Sequence, residues 1–262
     1  MNNYLATTLK ESFDILAPFS KKFKVDESRY LFSLALIMQC IKSNQREDTK
    51  IVDIGTGIGL LPLTLKRLGF NACGVDWYVF PEAQNDMFKV AEIEELKVIW
   101  KKNNLTIYNS NIFTNELPEA LESADIIVSE AMIEHLKDPK AFLLACNRLL
   151  KPNGILLLTT PNIATLLKRL RFLLGRSPNW PVAEFFAAGE AFTGHWREYT
   201  MAELTYMCEN AGFKIIKTYN KNLLTTFKGW RNWRKNLRAC IMSISTLLPG
   251  TREMNYLLCQ KK

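Results

Sequence analysis

Lys50-Ile-Val-Asp53-Ile-Gly55-Thr56-Gly57-Ile-Gly59-Leu60 is the stretch on which the fold turns. A short β-branched run stops at a glycine, and apolar residues resume at helical spacing over residues 60–68, just before Gly69. That order predicts a strand, a tight turn and a helix, the first unit of an α/β sheet. The glycines let the backbone turn sharply and approach a ligand where a side chain would collide. Their spacing is G-x-G-x-G, and Leu60 stands where a dinucleotide-binding G-x-G-x-x-G has its last glycine. Asp53, just before the loop, would repel a pyrophosphate and attract an ammonium group. A second acid, Asp76, lies 21 residues after Gly55 at the end of the next strand, residues 72–76. A carboxylate there accepts both hydroxyls of a ribose. The ligand these residues predict has a ribose and a cation but no phosphates.

Outward from this unit, strand-like and helix-like segments alternate. Helices are predicted over residues 5–19, 28–42, 85–102, 139–150 and 201–211, and strands over 105–108, 125–129, 155–159, 213–219 and 254–259. Parallel strands joined by right-handed crossovers place the loops after their C-terminal ends on one edge of the sheet, and function is expected along that edge. The 262 residues suffice for one or two packed domains, and moderate charge with sparse Gly (12) and Pro (10) excludes disordered and fibrous classes. Six cysteines without C-x-x-C pairs read as reduced intracellular thiols. With no visible signal peptide and no apolar stretch long enough to span a bilayer, the expected location is cytoplasmic, or peripheral to a membrane.

S-adenosylmethionine has the ribose, the cation and the lack of phosphates that the two acids ask for. Over residues 50–220 the chain resembles the class I S-adenosylmethionine-dependent methyltransferases. Residues 51–59 resemble their first motif, Gly74-Val-Asp76 their ribose-binding acid, Ala124-Asp-Ile-Ile-Val-Ser129-Glu130 their fourth strand, and residues 149–158 their turn into the fifth. The resemblance implies a Rossmann-like, seven-stranded, mostly parallel sheet with an antiparallel last strand. It implies S-adenosylmethionine as cofactor, with Asp53, Gly55, Thr56, Gly57 and Gly59 at its methionine part and Asp76 at the ribose. Trp77 would flank the adenine or pack locally, and Asn111, Ile112 and Ser129 complete the expected cofactor residues. Asn111 falls where many relatives have an acid after the third strand, and its amide oxygen can still accept a hydrogen bond.

The chain has two histidines, and both fall on the expected cofactor edge. His135 follows the fourth strand in Glu134-His135-Leu-Lys-Asp-Pro139, and His195 lies between the fifth strand and the next helix in Gly194-His195-Trp196-Arg197-Glu198-Tyr199-Thr200. Methyl transfer to a hydroxyl needs an aligned nucleophile and removal of its proton, a task for a base titrating near neutrality. His195 is therefore the expected base or substrate-orienting group, with His135 second and Glu134 and Glu198 assisting. These elements resemble the branch with quinone-biosynthesis O-methyltransferases and cell-surface glycan methyltransferases. Some relatives hold a divalent metal with Glu-x-x-Glu-His; here Ala131 occupies the first position, so no metal is expected, although His135, Glu134 and His195 could still form an improvised site.

Charge is uneven. The formal net charge is +8, yet residues 214–262 hold 11 Lys/Arg against one acid, Glu253, so the rest of the chain is near neutral. Two basic amphipathic segments stand out. In residues 164–174, Leu166, Leu167, Leu170, Leu173 and Leu174 share a helical face apart from Lys168, Arg169 and Arg171. In residues 230–248, Trp230, Trp233, Leu237, Ile241, Ile244 and Leu248 share a face beside Arg231, Arg234, Lys235 and Arg238. Each reads either as a lid packed on its own domain or as a helix on an anionic membrane surface. The chain thus divides into an N-terminal helical extension (1–48), a cofactor-binding core (49–221), a basic helical cap (222–250) and a last strand returning to the core (251–262). Trp196, Arg197, Tyr199, Trp230 and Trp233 are the expected substrate or cap residues. The acceptor is expected to be a small molecule, a glycan or a lipid-linked intermediate. RNA modification and a non-catalytic binding role are the alternatives, and no RNA-recognition module is evident.

Overall fold

In a computed structural model of the chain, residues 2–41, 45–78, 90–113, 118–224 and 233–262 are described. Seven strands form one sheet: β1 (Lys50–Ile54), β2 (Asn71–Asp76), β3 (Ile107–Asn109), β4 (Ala124–Glu130), β5 (Leu150–Pro161), β6 (Phe213–Lys221) and β7 (Met254–Lys261). Their order is β3-β2-β1-β4-β5-β7-β6, and β7 is antiparallel to both of its neighbours. The sheet and its antiparallel last strand are those expected. Strand alternation splits the core in two. Ile51 faces a cluster with α1 (Asn2–Ile15), α2 (Glu27–Cys40), α3 (Leu60–Arg67) and α4 (Val90–Lys102). Val52 and Ile54 face the opposite cluster with α5 (Pro139–Leu149) and α8 (Met201–Asn210).

The N-terminal helices are part of the first cluster. Leu5, Leu9, Phe13 and Leu16 repeat at helical spacing, and all are buried with Leu34 and Ile37 of α2. The first helix stops at Ile15 instead of running to Phe19, because Pro18 follows and the chain continues as a tighter helix over Phe19–Asp26. β5 begins at Leu150, five residues earlier than expected. The turn-like Lys-Pro-Asn-Gly is absorbed as an irregularity in the β4–β5 pairing, with Asn153 at φ +63°. The fourth helix is described from Val90, so the expected start at Asn85 lies outside the described residues.

Two insertions rise from the sheet edge. Between β5 and α8 come α6 (Leu166–Leu173) and α7 (Val182–Ala188), neither of which buries a single residue. Between β6 and β7 lies α9 (Trp233–Ile244), which packs beside α6. Trp230 lies outside the described residues, as does the side chain of Trp233.

Candidate active site

β1 pairs with β2 on one side and β4 on the other, so the loops leaving β1 and β4 diverge over a crevice at the centre of the sheet. The glycine loop leans from β1 onto β2, with the N–H groups of Gly55 and Thr56 both donating to the Val75 carbonyl. Gly55 has φ +78°, and a Cβ there would lie 2.7 Å from Met132 Sδ, so only glycine fits beside the β4 loop. At Gly74 an added Cβ would sit 2.7 Å from Thr56 Oγ1.

Asp76 ties the loop to β2. Its Oδ2 accepts from the Gly57 N–H at 2.7 Å and its Oδ1 from the Trp77 N–H at 2.8 Å. Burial raises the Asp76 carboxyl against these two bonds. Asp53 is more deeply enclosed. Burial pushes its carboxyl up to about 7, against a hydrogen bond from Thr56 and the Arg29 charge and helped by the charges of Glu130 and Asp76. Asp53 Oδ1 and Thr56 Oγ1 are buried beside one another, with no other hydrogen-bond partner among the described residues. Unmet acceptors beside a glycine cradle fit a ligand that brings donors and positive charge. The structure therefore offers, at Asp53, Thr56 and Asp76, the chemistry that an ammonium group and a ribose require.

The remaining expected cofactor residues are placed as follows. Trp77 is half-exposed just past Asp76, and Ile112 is buried in the second core cluster. Asn111 accepts from the Phe113 N–H with its amide oxygen, while Asn109, the register partner of Asp76, accepts from the Tyr78 N–H. Ser129 donates to the Ile54 carbonyl at 3.1 Å and so fastens β4 to the end of β1.

Several residues at the crevice carry no sequence motif. Tyr78 donates its hydroxyl to the Gly57 carbonyl, and Trp100 Nε1 donates to the Ile58 carbonyl at 2.9 Å, so two aromatic side chains buttress the glycine loop. Arg29 on α2 is buried with its Nε 3.4 Å from Glu130 Oε2. Glu130 also accepts from Ser33 and Thr159. Asp53, Glu130 and Glu134 all lie within electrostatic reach of Arg29, and burial raises all three carboxyls.

Beyond β4, Ala131 at φ +51° turns the chain into a short helix, Ile133–His135, which presents Glu134 and His135. Glu134 is fully buried. Its Oε2 accepts from Thr160 Oγ1 at 2.8 Å, and its Oε1 has no hydrogen-bond partner among the described residues. Burial pushes its carboxyl up to about 7, partly offset by His195. The two histidines, 60 residues apart in sequence, meet edge-to-face with ring centroids 4.8 Å apart. His135 Nδ1 donates to the Thr193 carbonyl at 2.9 Å, and His195 Nδ1 pairs with Glu198 Oε1 at 2.9 Å. Burial works against the Glu198 charge, but His195 and Lys168 outweigh it and hold Glu198 below the usual carboxylate range. With Nδ1 of each ring committed to an acceptor, Nε2 is the basic nitrogen of both. Lys168 comes from α6, so the inserted helix is ion-paired to the residue that orients His195.

One donor atom from each of Glu134, His135 and His195 lies within 4.8 Å of the others. Ala131 offers no ligand, as expected, yet the fold brings His195 in from a different segment, and the trio has the donor chemistry of a divalent-cation site. Around it stands an aromatic wall. The Trp180 ring is 4.7 Å from His195, and Phe185 packs edge-on against Phe192 and Trp196. Trp196, Arg197 and Tyr199, with Leu136, Lys137 and Tyr206, line an open groove of about 880 Å³. The Lys137 ammonium lies 4.7 Å over the Trp196 ring.

Comparison with known proteins agrees with this fold. The methyltransferase domain family matches residues 14–218. A ubiquinone biosynthesis O-methyltransferase of Dinoroseobacter shibae is 31% identical over 174 residues, 66% of this chain and 63% of that protein. The mitochondrial ubiquinone biosynthesis O-methyltransferase of Homo sapiens is 29% identical over 190 residues, 71% of this chain and 47% of that protein. The chain thus spans less than two thirds of these curated relatives. The crystal structure of magnesium protoporphyrin IX methyltransferase from Synechocystis PCC 6803, with bound SAH, shares the fold at TM-score 0.53 and 15% identity, covering 93% of this chain and 86% of that one.

Proposed function

Because this chain belongs to the methyltransferase domain family, of the class I S-adenosylmethionine-dependent fold, we propose that it binds S-adenosylmethionine and transfers its methyl group to a hydroxyl. The acceptor in this reading is a small molecule, a glycan or a lipid-linked intermediate. One observation carries the proposal: the buried Asp53 and the half-buried Asp76 flank the glycine loop on the same sheet edge as two histidines whose Nδ1 atoms are each held by an acceptor, leaving Nε2 as the acceptor nitrogen of the neutral ring.

When bound, S-adenosylmethionine supplies a methyl group on a sulfonium, already activated for displacement. Everything else falls to the chain. Asp53 and the loop glycines hold the methionine end and Asp76 the ribose, while Arg29 is the buried cation suited to a carboxylate. His195 accepts the acceptor hydroxyl's proton at Nε2, with Glu198 fixing its tautomer and stabilising the imidazolium that forms. His135 packs against that ring and orients the acceptor. The aromatic wall presents an apolar surface that favours an acceptor with an apolar or ring-bearing body. Were a divalent cation held here, Glu134, His135 and His195 would ligate it, and it would lower the hydroxyl's pKa. With Ala131 offering no donor beside them, base catalysis by His195 is the reading proposed.

The test has two arms. Calorimetry should show saturable S-adenosylmethionine binding by the wild type and a large loss in Asp76→Ala. Tritiated-methyl transfer into lipid, polar-metabolite and RNA pools should label one of the first two. Undiminished binding by Asp76→Ala would refute the cofactor assignment. Binding without transfer into any pool would establish a non-catalytic role, and labelling of RNA alone would overturn the acceptor class.

A further inference from the structure

Folded side chains normally hide most of their large apolar groups, so contiguous exposed ones ask for a partner. Residues 169–187 are exposed throughout except Pro178. Within that run Phe172, Leu173, Leu174, Val182 and Phe186 are each 67–85% exposed. The apolar face of α6 leaves the protein as it proceeds: Leu166 and Leu167 are half-buried, Leu170 is 39% exposed and Leu173 is 80% exposed. On the neighbouring α9, the face expected to be apolar is not the buried one. The helix buries Ala239 and Met242, while Leu237 and Ile244, and Leu248 just beyond it, are exposed. A lid packed onto its own domain would do the reverse.

Charge supplies the identity of the partner. Residues 164–191 contain Arg169, Arg171 and Arg176, besides Lys168 paired to Glu198, against Glu184 and Glu190, and residues 222–250 contain five Lys/Arg and no acid. Apolar side chains flanked by a net excess of cations match a bilayer interface with anionic headgroups, where the apolar groups enter the acyl boundary and the cations stay at the phosphates. No described helix is long and apolar enough to cross a membrane, so the contact would be with the surface. The patch is continuous with the candidate site. Trp180 and Phe185, from the same segment as Leu173 and Phe186, pack around His195 and Trp196.

We propose that the outer faces of α6–α7 and α9 form one docking surface for an anionic lipid bilayer, seated directly over the entrance to the His135–His195 site. The surface stands independently of the methyl-transfer reading, since it depends on exposure and charge and not on the chemistry beneath. If both hold, an apolar acceptor passes from the bilayer along the aromatic wall to His195 without crossing water.

The test is flotation of the full-length chain with phosphatidylcholine vesicles, with and without one quarter phosphatidylglycerol. The anionic vesicles should bind at least about tenfold more tightly, and binding should weaken with salt. The double variant Leu173→Glu, Phe186→Glu should lose at least about tenfold in vesicle affinity while keeping its thermal melting and cofactor affinity, because both side chains project into solvent. Equal binding by the variant, or no binding to anionic vesicles at low salt, would overturn the proposal. So would sedimentation of the wild type as a dimer that Leu173→Glu dissociates, since the patch would then be covered by a second copy. Failure of methyl transfer with vesicle binding intact would count against the enzymatic reading alone.

Discussion

Asp53 makes cofactor affinity a function of pH in a direction the structure specifies. Its carboxyl is pushed up to about 7 by burial, so near neutrality about half the unliganded molecules carry it protonated. A ligand's ammonium group prefers the ionised form, so binding below pH 7 must expel a proton. With the bound carboxyl fully ionised, affinity falls about fiftyfold, or about 2.3 kcal/mol, between pH 7 and pH 5, the slope steepening toward tenfold per pH unit as pH drops below the free carboxyl's value. An amino acid's ammonium and carboxylate both keep their charge across that window, so the slope belongs to the protein. The stability effect has the opposite sign. The native carboxyl sits above its unfolded value, so ionising it penalises the unliganded fold, and Asp53 takes stability away as pH rises from about 4 to 7. Calorimetry in buffers of different ionisation enthalpy at pH 5, 6, 7 and 8 reads both affinity and proton release. Asp53→Asn, which keeps shape and removes the titration, should bind more weakly at pH 8 and show a much flatter profile. A wild-type affinity independent of pH, or the same slope in Asp53→Asn, would refute the assignment of Asp53 to the cofactor's cation.

Other expectations are more direct. His195→Ala should keep S-adenosylmethionine affinity and lose roughly 10²–10⁴ in turnover, the range for a general base, and unchanged turnover would move the role to His135. Gly55→Ala must hold a side chain at φ +78° against Met132, so its cofactor affinity should drop about tenfold, with Met132→Ala in the same chain restoring only the steric part; wild-type affinity would show that the loop yields. Incubation with EDTA followed by desalting should leave transfer unchanged, whereas loss of activity restored by manganese or zinc would assign Glu134, His135 and His195 to a cation. Phe142→Ala, in the middle of the second core cluster, should lower the melting temperature by roughly 6–20 °C, from a cavity cost of about 3–5 kcal/mol, and a smaller fall would mean the core collapses around the gap.

What could be read in the chain was what is local in it. The glycine loop, Asp53 and Asp76 announce themselves because a strand, a turn and a helix lie within a few residues of one another and each has its own residue chemistry. Both histidines could be assigned to one edge by topology, and with Glu134 to an improvised site, but their edge-to-face packing depends on how two separate loops settle. Arg29 gives no signal in sequence: it is one arginine in an ordinary helix start, and its burial beside Glu130 arises only when α2 docks on the sheet. The same holds for Tyr78 and Trp100, whose support of the loop comes from across the first core cluster. α7 escaped because Val-Ala-Glu-Phe-Phe-Ala-Ala is short and buries nothing, so it has no face to betray a period.

The register of the last two strands has an architectural consequence. Lys221 of β6 stands opposite Met254 of β7, so everything between them, α9 included, is the connection of one antiparallel hairpin. Its two ends leave the sheet side by side and on the far side of β5 from the cofactor strands. Such a segment behaves as an interchangeable module. It can lengthen, shorten or be traded for another sequence with a single pair of splice points, and the cofactor crevice at β1, β2 and β4 need not register the change. A chimaera that replaces residues 222–253 with the equivalent connection of another family member would alter the proposed docking surface while leaving the proposed cofactor site as built.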